Sequence, residues 1–192
     1  MALTSSTMLP LGTKAPTFTV SDVVTGKEIS LDTLAAGKKA SLIMFICRHC
    51  PYVKHVEREL ARLGNDYSEK GVAVVAISSN DIQSHPDDSP ANLKSQAQTL
   101  GFAFPYGYDE SQSVAKAYMA ACTPDFFLFD KDQALVYRGQ LDDSRPGNDV
   151  PVTGKDLRSA LDTVLAGEKP AQEQKSSVGC NIKWKSGQEP RY

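Results

Sequence analysis

The chain lacks most of the features that assign a sequence to a specialised class at once. None of its apolar runs approaches the roughly 18 residues of a membrane-spanning helix. The start, Met1-Ala2-Leu3-Thr4-Ser5-Ser6-Thr7, has neither the basic residues nor the apolar stretch of a secretory signal. Positive charge is not in excess: 21 Lys and Arg face 23 Asp and Glu, a net charge of −2, so no overall field draws in nucleic acid or an anionic membrane. Four cysteines in 192 residues are too few for a disulfide scaffold, and they include no second C-x-x-C to complete a zinc ribbon. Internal repeats and low-complexity segments are absent as well. What remains is a soluble globular domain, expected over residues 1–170 with a tail over 171–192, in the cytoplasm or an equivalent reducing compartment. There, cysteines read as catalytic or metal-binding.

The chain that is present alternates strand and helix signals. A hairpin is expected through Phe18-Thr19-Val20, a turn at Thr25-Gly26-Lys27 and a return toward Ile29 and Leu31. Leu42 to Ile46 and Val72 to Ile77 are unbroken apolar runs, the pattern of strands covered on both faces. Between them Val53, Val56, Leu60 and Leu63 recur at helical spacing, with Gly64 as the expected stop. After a loop over Ser84–Pro90, helices are expected over Ala91–Leu100, Ser111–Ala120 and Lys155–Leu165. Phe126–Phe129 and Ala134–Tyr137 flank Asp130-Lys131-Asp132-Gln133 as a second hairpin. This order predicts an α/β fold, a central mixed sheet with helices on both faces.

Working groups in such a sheet gather where a strand's carboxyl end meets the next helix. Cys47-Arg48-His49-Cys50-Pro51 stands at that junction. Two thiols three positions apart can close a small disulfide ring, and the positive end of the helix favours thiolate over thiol. Arg48 and His49 add positive charge, and Pro51 suits the first helical turn. The pair is expected to face a partner outside the protein. The competing readings are half of a zinc site completed by His49, His55, Cys122 or Cys180, and a pair of inert buried thiols. Ala121-Cys122-Thr123-Pro124 precedes the second hairpin, and Pro124 there marks either a strand's first residue or a cis peptide bond. Gly147 to Lys155 does not make a phosphate loop, because Asp156 stands where a Ser or Thr is needed.

C-x-x-C-P after a strand together with Thr123-Pro124 before Phe126-Phe127-Leu128-Phe129-Asp130 resembles the thioredoxin fold. The N-terminal hairpin, Ala15-Pro16-Thr17-Phe18, the long insert before Cys122 and Phe104-Pro105-Tyr106 resemble its peroxiredoxin-type (AhpC/TSA, redoxin) branch. Tyr137–Gly147 and Val178–Lys185 are similar to a peroxiredoxin-like group in particular. The resemblance implies a thiol-disulfide oxidoreductase with Cys47 as attacking thiol and Cys50 as resolving thiol. Arg48, His49, Thr123 and Pro124 would position the substrate, with Cys122 and Cys180 as candidate auxiliary thiols and no cofactor or metal. The alternative it implies is a thiol peroxidase working through a cysteine sulfenic acid; a third reading is a redox- or zinc-dependent binding module. Expected partners are a protein or small-molecule disulfide or hydroperoxide and an electron-donor thiol protein. Two departures stand out: Ser41 and Ile46 occupy the positions where thioredoxins carry a buried Asp and a Trp. Met44 and Cys47, in turn, stand where a peroxidatic Cys would have Thr or Ser three residues before it.

Overall fold

A computed structural model describes residues 3–192. From the N-terminus the chain runs β1 (Leu3–Ser5), β2 (Thr19–Asp22), β3 (Glu28–Ser30), α1 (Leu31–Ala35), β4 (Ala40–Phe45), α2 (Pro51–Ser68) and β5 (Val72–Ser78). A 3₁₀ turn at Pro86–Asp88 leads into α3 (Pro90–Leu100), β6 (Tyr106–Tyr108), α4 (Ser113–Ala117), β7 (Cys122–Thr123) and β8 (Asp125–Asp130). β9 (Leu135–Gly139), α5 (Lys155–Leu165) and β10 (Val178–Asn181) complete it.

The two apolar runs build the centre. β4 and β5 are buried along their whole length and pair in parallel from Ala40↔Val72 to Phe45↔Ile77. On the other edge of β4, β8 runs antiparallel, with Met44 opposite Phe126. The sheet order is β3-β2-β6-β5-β4-β8-β9, with β4, β5 and β6 parallel to one another. Side chains alternate across it as strand geometry requires. Leu42, Met44 and Val74 pack against Val53 and Leu60 of α2, Leu93 of α3 and Leu157 of α5. Ile43, Phe45, Val75 and Ile77 face Leu31 of α1, Val114 of α4, and Leu9 and Ile182 from the two ends of the chain. Each such leucine, fully buried, contributes roughly 2 kcal/mol of transfer free energy.

α2 starts where the sequence places it, with Cys50 as N-cap and Pro51 in the first turn. It does not stop at Gly64 but continues to Ser68, because Gly64 serves a close approach rather than a cap. A Cβ there would lie 2.2 Å from the Phe104 ring. Beyond it Tyr67 is buried and donates its hydroxyl to Asp162 at 2.8 Å. α4 is shorter than the expected Ser111–Ala120, since Met119 takes a left-handed turn (φ 50°) that redirects the chain toward Cys122.

Beyond α5 the chain returns to the body of the molecule. β10 lies between β1 and β7 in a separate three-stranded antiparallel sheet, with Cys180 opposite Leu3 on one side and Thr123 on the other. Gly179 makes this pairing possible: a Cβ there would meet the Thr123 carbonyl oxygen at 2.0 Å. Further on, the Lys183 amide donates to the Asn80 side chain at 2.8 Å, and the Lys185 amide to that of Gln112 at 2.8 Å. No helix of the described residues is long and apolar enough to cross a membrane.

Candidate active site

Four segments meet at the carboxyl end of β4. They are the Cys47–Pro51 turn, the loop after β5 that carries Asn80 and Asp88, the β7–β8 junction at Thr123-Pro124, and β10. The Thr123-Pro124 peptide is cis, one of the two forms the sequence allowed. Thr123 binds both members of the pair: its hydroxyl lies 3.3 Å from the Cys47 sulfur, and its carbonyl accepts from the Cys50 thiol at 3.3 Å. The Cys47 and Cys50 side chains also hydrogen-bond to each other, so the two thiols ionise as one linked unit.

Both cysteines are completely buried, which corrects the expectation of a pair facing outward. The physical cause is β10. Its pairing with β7 brings Cys180 down onto the helix mouth, where its side chain hydrogen-bonds to that of Cys50. Cys180 is itself only 3 % exposed, although it lies in the segment expected to be a tail. Pro124 lines a small cleft together with Tyr52, His55, Arg145 and Pro146.

The two thiols differ electrostatically. The Cys50 pKa falls to about 5: the hydrogen bond from Cys47 outweighs the opposing effect of burial, and the Cys180 side chain and the Val53 and Cys180 amides add to it. The Cys47 pKa is raised well above the ordinary thiol value, first by burial, then by its hydrogen bond to Cys50 and by the nearby Asp88 carboxylate. The hydrogen bond between them therefore favours ionisation of Cys50, the residue at the helix N-cap, over Cys47. The resemblance gives the attacking role to the other sulfur.

Arg48 and His49 act differently from what their charges suggest. Their backbone amides both donate to Asp88 Oδ1, at 2.8 and 3.0 Å, and His49 Nδ1 pairs with Asp88 Oδ2 at 2.5 Å. Asn80 donates to the same oxygen at 2.8 Å, and the ring of His85 lies against His49, tilted by 36° with centroids 4.8 Å apart. Asp88 is fully buried, and its carboxylate holds the whole turn in place. Sequence reasoning missed it because a Pro- and Asp-rich stretch reads as a solvated loop.

A second acid was also missed. Asp125, directly after Pro124, is fully buried; burial raises its pKa to about 7, and Oδ1 has no hydrogen-bond partner. Cys122 is buried, donates to the Pro124 carbonyl at 3.6 Å, and has its pKa raised by burial and then by Asp125. Those are the properties of an inert packing thiol. His55 bonds Ser144 at 2.7 Å, away from the pair. Arg138 donates to the Leu9 carbonyl at 2.7 Å and to Gln174 at 2.8 Å, while Arg145 donates to the Asp142 and Ser144 carbonyls at 2.6 and 2.7 Å and to Gln140. Cys47, His49 and Asp88 each offer one ligand atom within 4.8 Å of the others, the only such cluster among the described residues. A structural zinc takes four ligands, and in this arrangement His49 and Asp88 are already bonded to each other; His55, Cys122 and Cys180 do not join the cluster.

A mixed sheet with a buried C-x-x-C at a helix mouth opposite a cis-proline defines a thioredoxin-fold protein. The family model described as AhpC/TSA matches residues 11–138, and the chain belongs to the AhpC/TSA family. It is similar to an uncharacterized conserved protein from Geobacillus kaustophilus, at 55 % identity over 97 % of this chain and 98 % of that one, with a TM-score of 0.95. A hypothetical protein from Sinorhizobium meliloti 1021 is 47 % identical over 96 % of this chain and 100 % of its own, with a TM-score of 0.93. The thioredoxin domain of a thiol-disulfide oxidoreductase from Bacteroides vulgatus shares the fold at 19 % identity, covering 71 % of this chain and 90 % of that one, with a TM-score of 0.56. None of the curated proteins matches the chain.

Proposed function

We propose that the protein is a thiol-disulfide oxidoreductase that cycles Cys47 and Cys50 between dithiol and disulfide. The observation that carries this reading is the C-x-x-C pair at the mouth of α2, with both sulfurs bonded by Thr123 next to a cis peptide to Pro124. Placement of the charge supports Cys50 as the first attacker. Its thiolate displaces one sulfur of a substrate disulfide, giving a mixed disulfide and a substrate thiolate. Cys47 then loses its proton, attacks the Cys50 sulfur and releases the second substrate sulfur, which closes the internal disulfide. His49 lies near Cys47, with Nδ1 engaged by Asp88 and Nε2 without a partner. Thr123 holds both sulfurs in register in the dithiol, through its hydroxyl and its carbonyl, and a donor thiol protein would return the pair to that state.

The second reading is a thiol peroxidase, favoured by membership of the AhpC/TSA family and by the ionised Cys50. Against it, Arg138 and Arg145 are engaged by backbone carbonyls and glutamines rather than by either thiol of the pair. Parallel turnover assays with a small-molecule disulfide and with hydrogen peroxide separate the two. Disulfide turnover that drops to background in Cys50→Ser and falls in Cys47→Ser supports the oxidoreductase. Faster peroxide consumption that survives in Cys47→Ser would select the peroxidase.

A further inference from the structure

The fold places a third sulfur where the first step of thiol exchange can use it. The Cys50 side chain hydrogen-bonds to those of both Cys47 and Cys180. The contact with Cys180 is built into the strand pairing. Cys180 is in register with Thr123, the residue whose carbonyl holds the Cys50 sulfur. Gly179 is what lets β10 lie this close, and β1 backs the strand on its far edge. Cys180 is buried with the pair in one apolar cluster. Cys122 shares the neighbourhood but directs its thiol to the Pro124 carbonyl instead.

We propose that Cys180 is a further catalytic thiol of this site, which exchanges with the Cys47–Cys50 disulfide to form a Cys50–Cys180 disulfide. This rests on the reading of Cys47 and Cys50 as a redox pair. In the step, the Cys180 sulfur attacks the Cys50 sulfur, the Cys50–Cys180 bond forms, and the Cys47–Cys50 bond breaks. The proton lost by Cys180 is gained by the departing Cys47 sulfur. One disulfide replaces another, so no outside oxidant or reductant is needed. In the dithiol state the Cys180 thiol is held protonated first by burial and then by the neighbouring Cys50. Once Cys50 is oxidised, its charge and its hydrogen bond no longer oppose ionisation of Cys180. The exchange moves the oxidising equivalent from the buried pair into the strand that covers it, fastening β10 to the start of α2.

The test uses the full chain oxidised in a graded dithiol–disulfide buffer, quenched in acid, alkylated, and mapped by mass spectrometry. Wild type is expected to contain both Cys47–Cys50 and Cys50–Cys180 linkages. Cys47→Ser should still lose two alkylatable thiols on oxidation, with the bond at Cys50–Cys180, and Cys180→Ser should form Cys47–Cys50 alone. In Gly179→Ala, with folding verified by circular dichroism, the Cys50–Cys180 fraction should drop while Cys47–Cys50 persists. The proposal is overturned if Cys180 is alkylated in every oxidised fraction and Cys47→Ser forms no internal disulfide. If in that case wild type still forms Cys47–Cys50, the oxidoreductase reading stands without it. A Cys50–Cys180 bond with no Cys47–Cys50 bond at any potential would overturn the exchange and the pair together.

Discussion

At the scale of single residues, the chemistry depends on which sulfur carries charge. With its pKa near 5, Cys50 should give the reduced protein a thiolate ultraviolet band that grows in as pH rises through about 5 and is lost in Cys50→Ser. An absence of thiolate below about pH 8, where an ordinary thiol of pKa about 8.5 is still largely protonated, would contradict this assignment. Because the folded value is depressed, this ionisation stabilises the reduced fold fully above the unfolded thiol pKa of about 8.5. That stabilisation is lost as pH falls toward 5. Asp125 has the opposite sign. Its pKa rises from an unfolded value of about 3.9 to about 7, so the native state holds its proton longer and stability falls as pH climbs between those values. The loss is on the order of 4 kcal/mol at about 1.4 kcal/mol per unit. Asp125→Asn should flatten that slope in denaturant unfolding measured across the range; an unchanged slope would assign the pH dependence elsewhere. Neither Asp125 nor Asp88 was legible in the sequence. An acid's burial is decided by what packs over it, and here those neighbours come from distant segments: the Cys47–Pro51 turn for Asp88, the N-terminal Ser6 and the turn at Ala121 for Asp125.

Secondary-structure elements divide by whether their signal is local. β4 and β5 were readable because both faces are apolar, and α2 because Val53, Val56, Leu60 and Leu63 form a stripe. β1, β6, β7 and β10 have two to four residues each and form only because a partner edge is waiting, so no periodicity announces them. That is why the tail was legible as a polar segment but not as the cover of the site. Gly64 illustrates how one residue type supports two readings. As a helix stop it would tolerate alanine, and inside α2 alanine would add up to ~1 kcal/mol of helix propensity. Against the Phe104 ring, however, the new methyl is overpacked, at a cost of about 1–3 kcal/mol. Gly64→Ala should therefore lower the denaturant midpoint, and a midpoint at or above wild type would show that Phe104 yields freely.

For the whole molecule, the sheet acts as a frame that brings distant segments to one point. Parallel pairing of β4 with β5 aligns their carboxyl ends, antiparallel β8 returns Thr123-Pro124 to the same end, and the two chain termini meet there in β1 and β10. The fold class, the C-x-x-C and the proline opposite it were all legible, since each is a local pattern whose placement follows from strand–helix alternation. The closed state of the site was not, because it arises from pairing between the beginning, the middle and the end of the chain. The most direct test of the central claim is a redox titration of the full-length protein against a dithiol–disulfide buffer, with Cys47 and Cys50 quantified by acid trapping and mass spectrometry. Cys50 is predicted to disappear in a two-electron transition that reverses on reduction, with Cys47 lost alongside it in the fraction bonded as Cys47–Cys50. Thiols at both positions that persist across the whole range of potentials would contradict it.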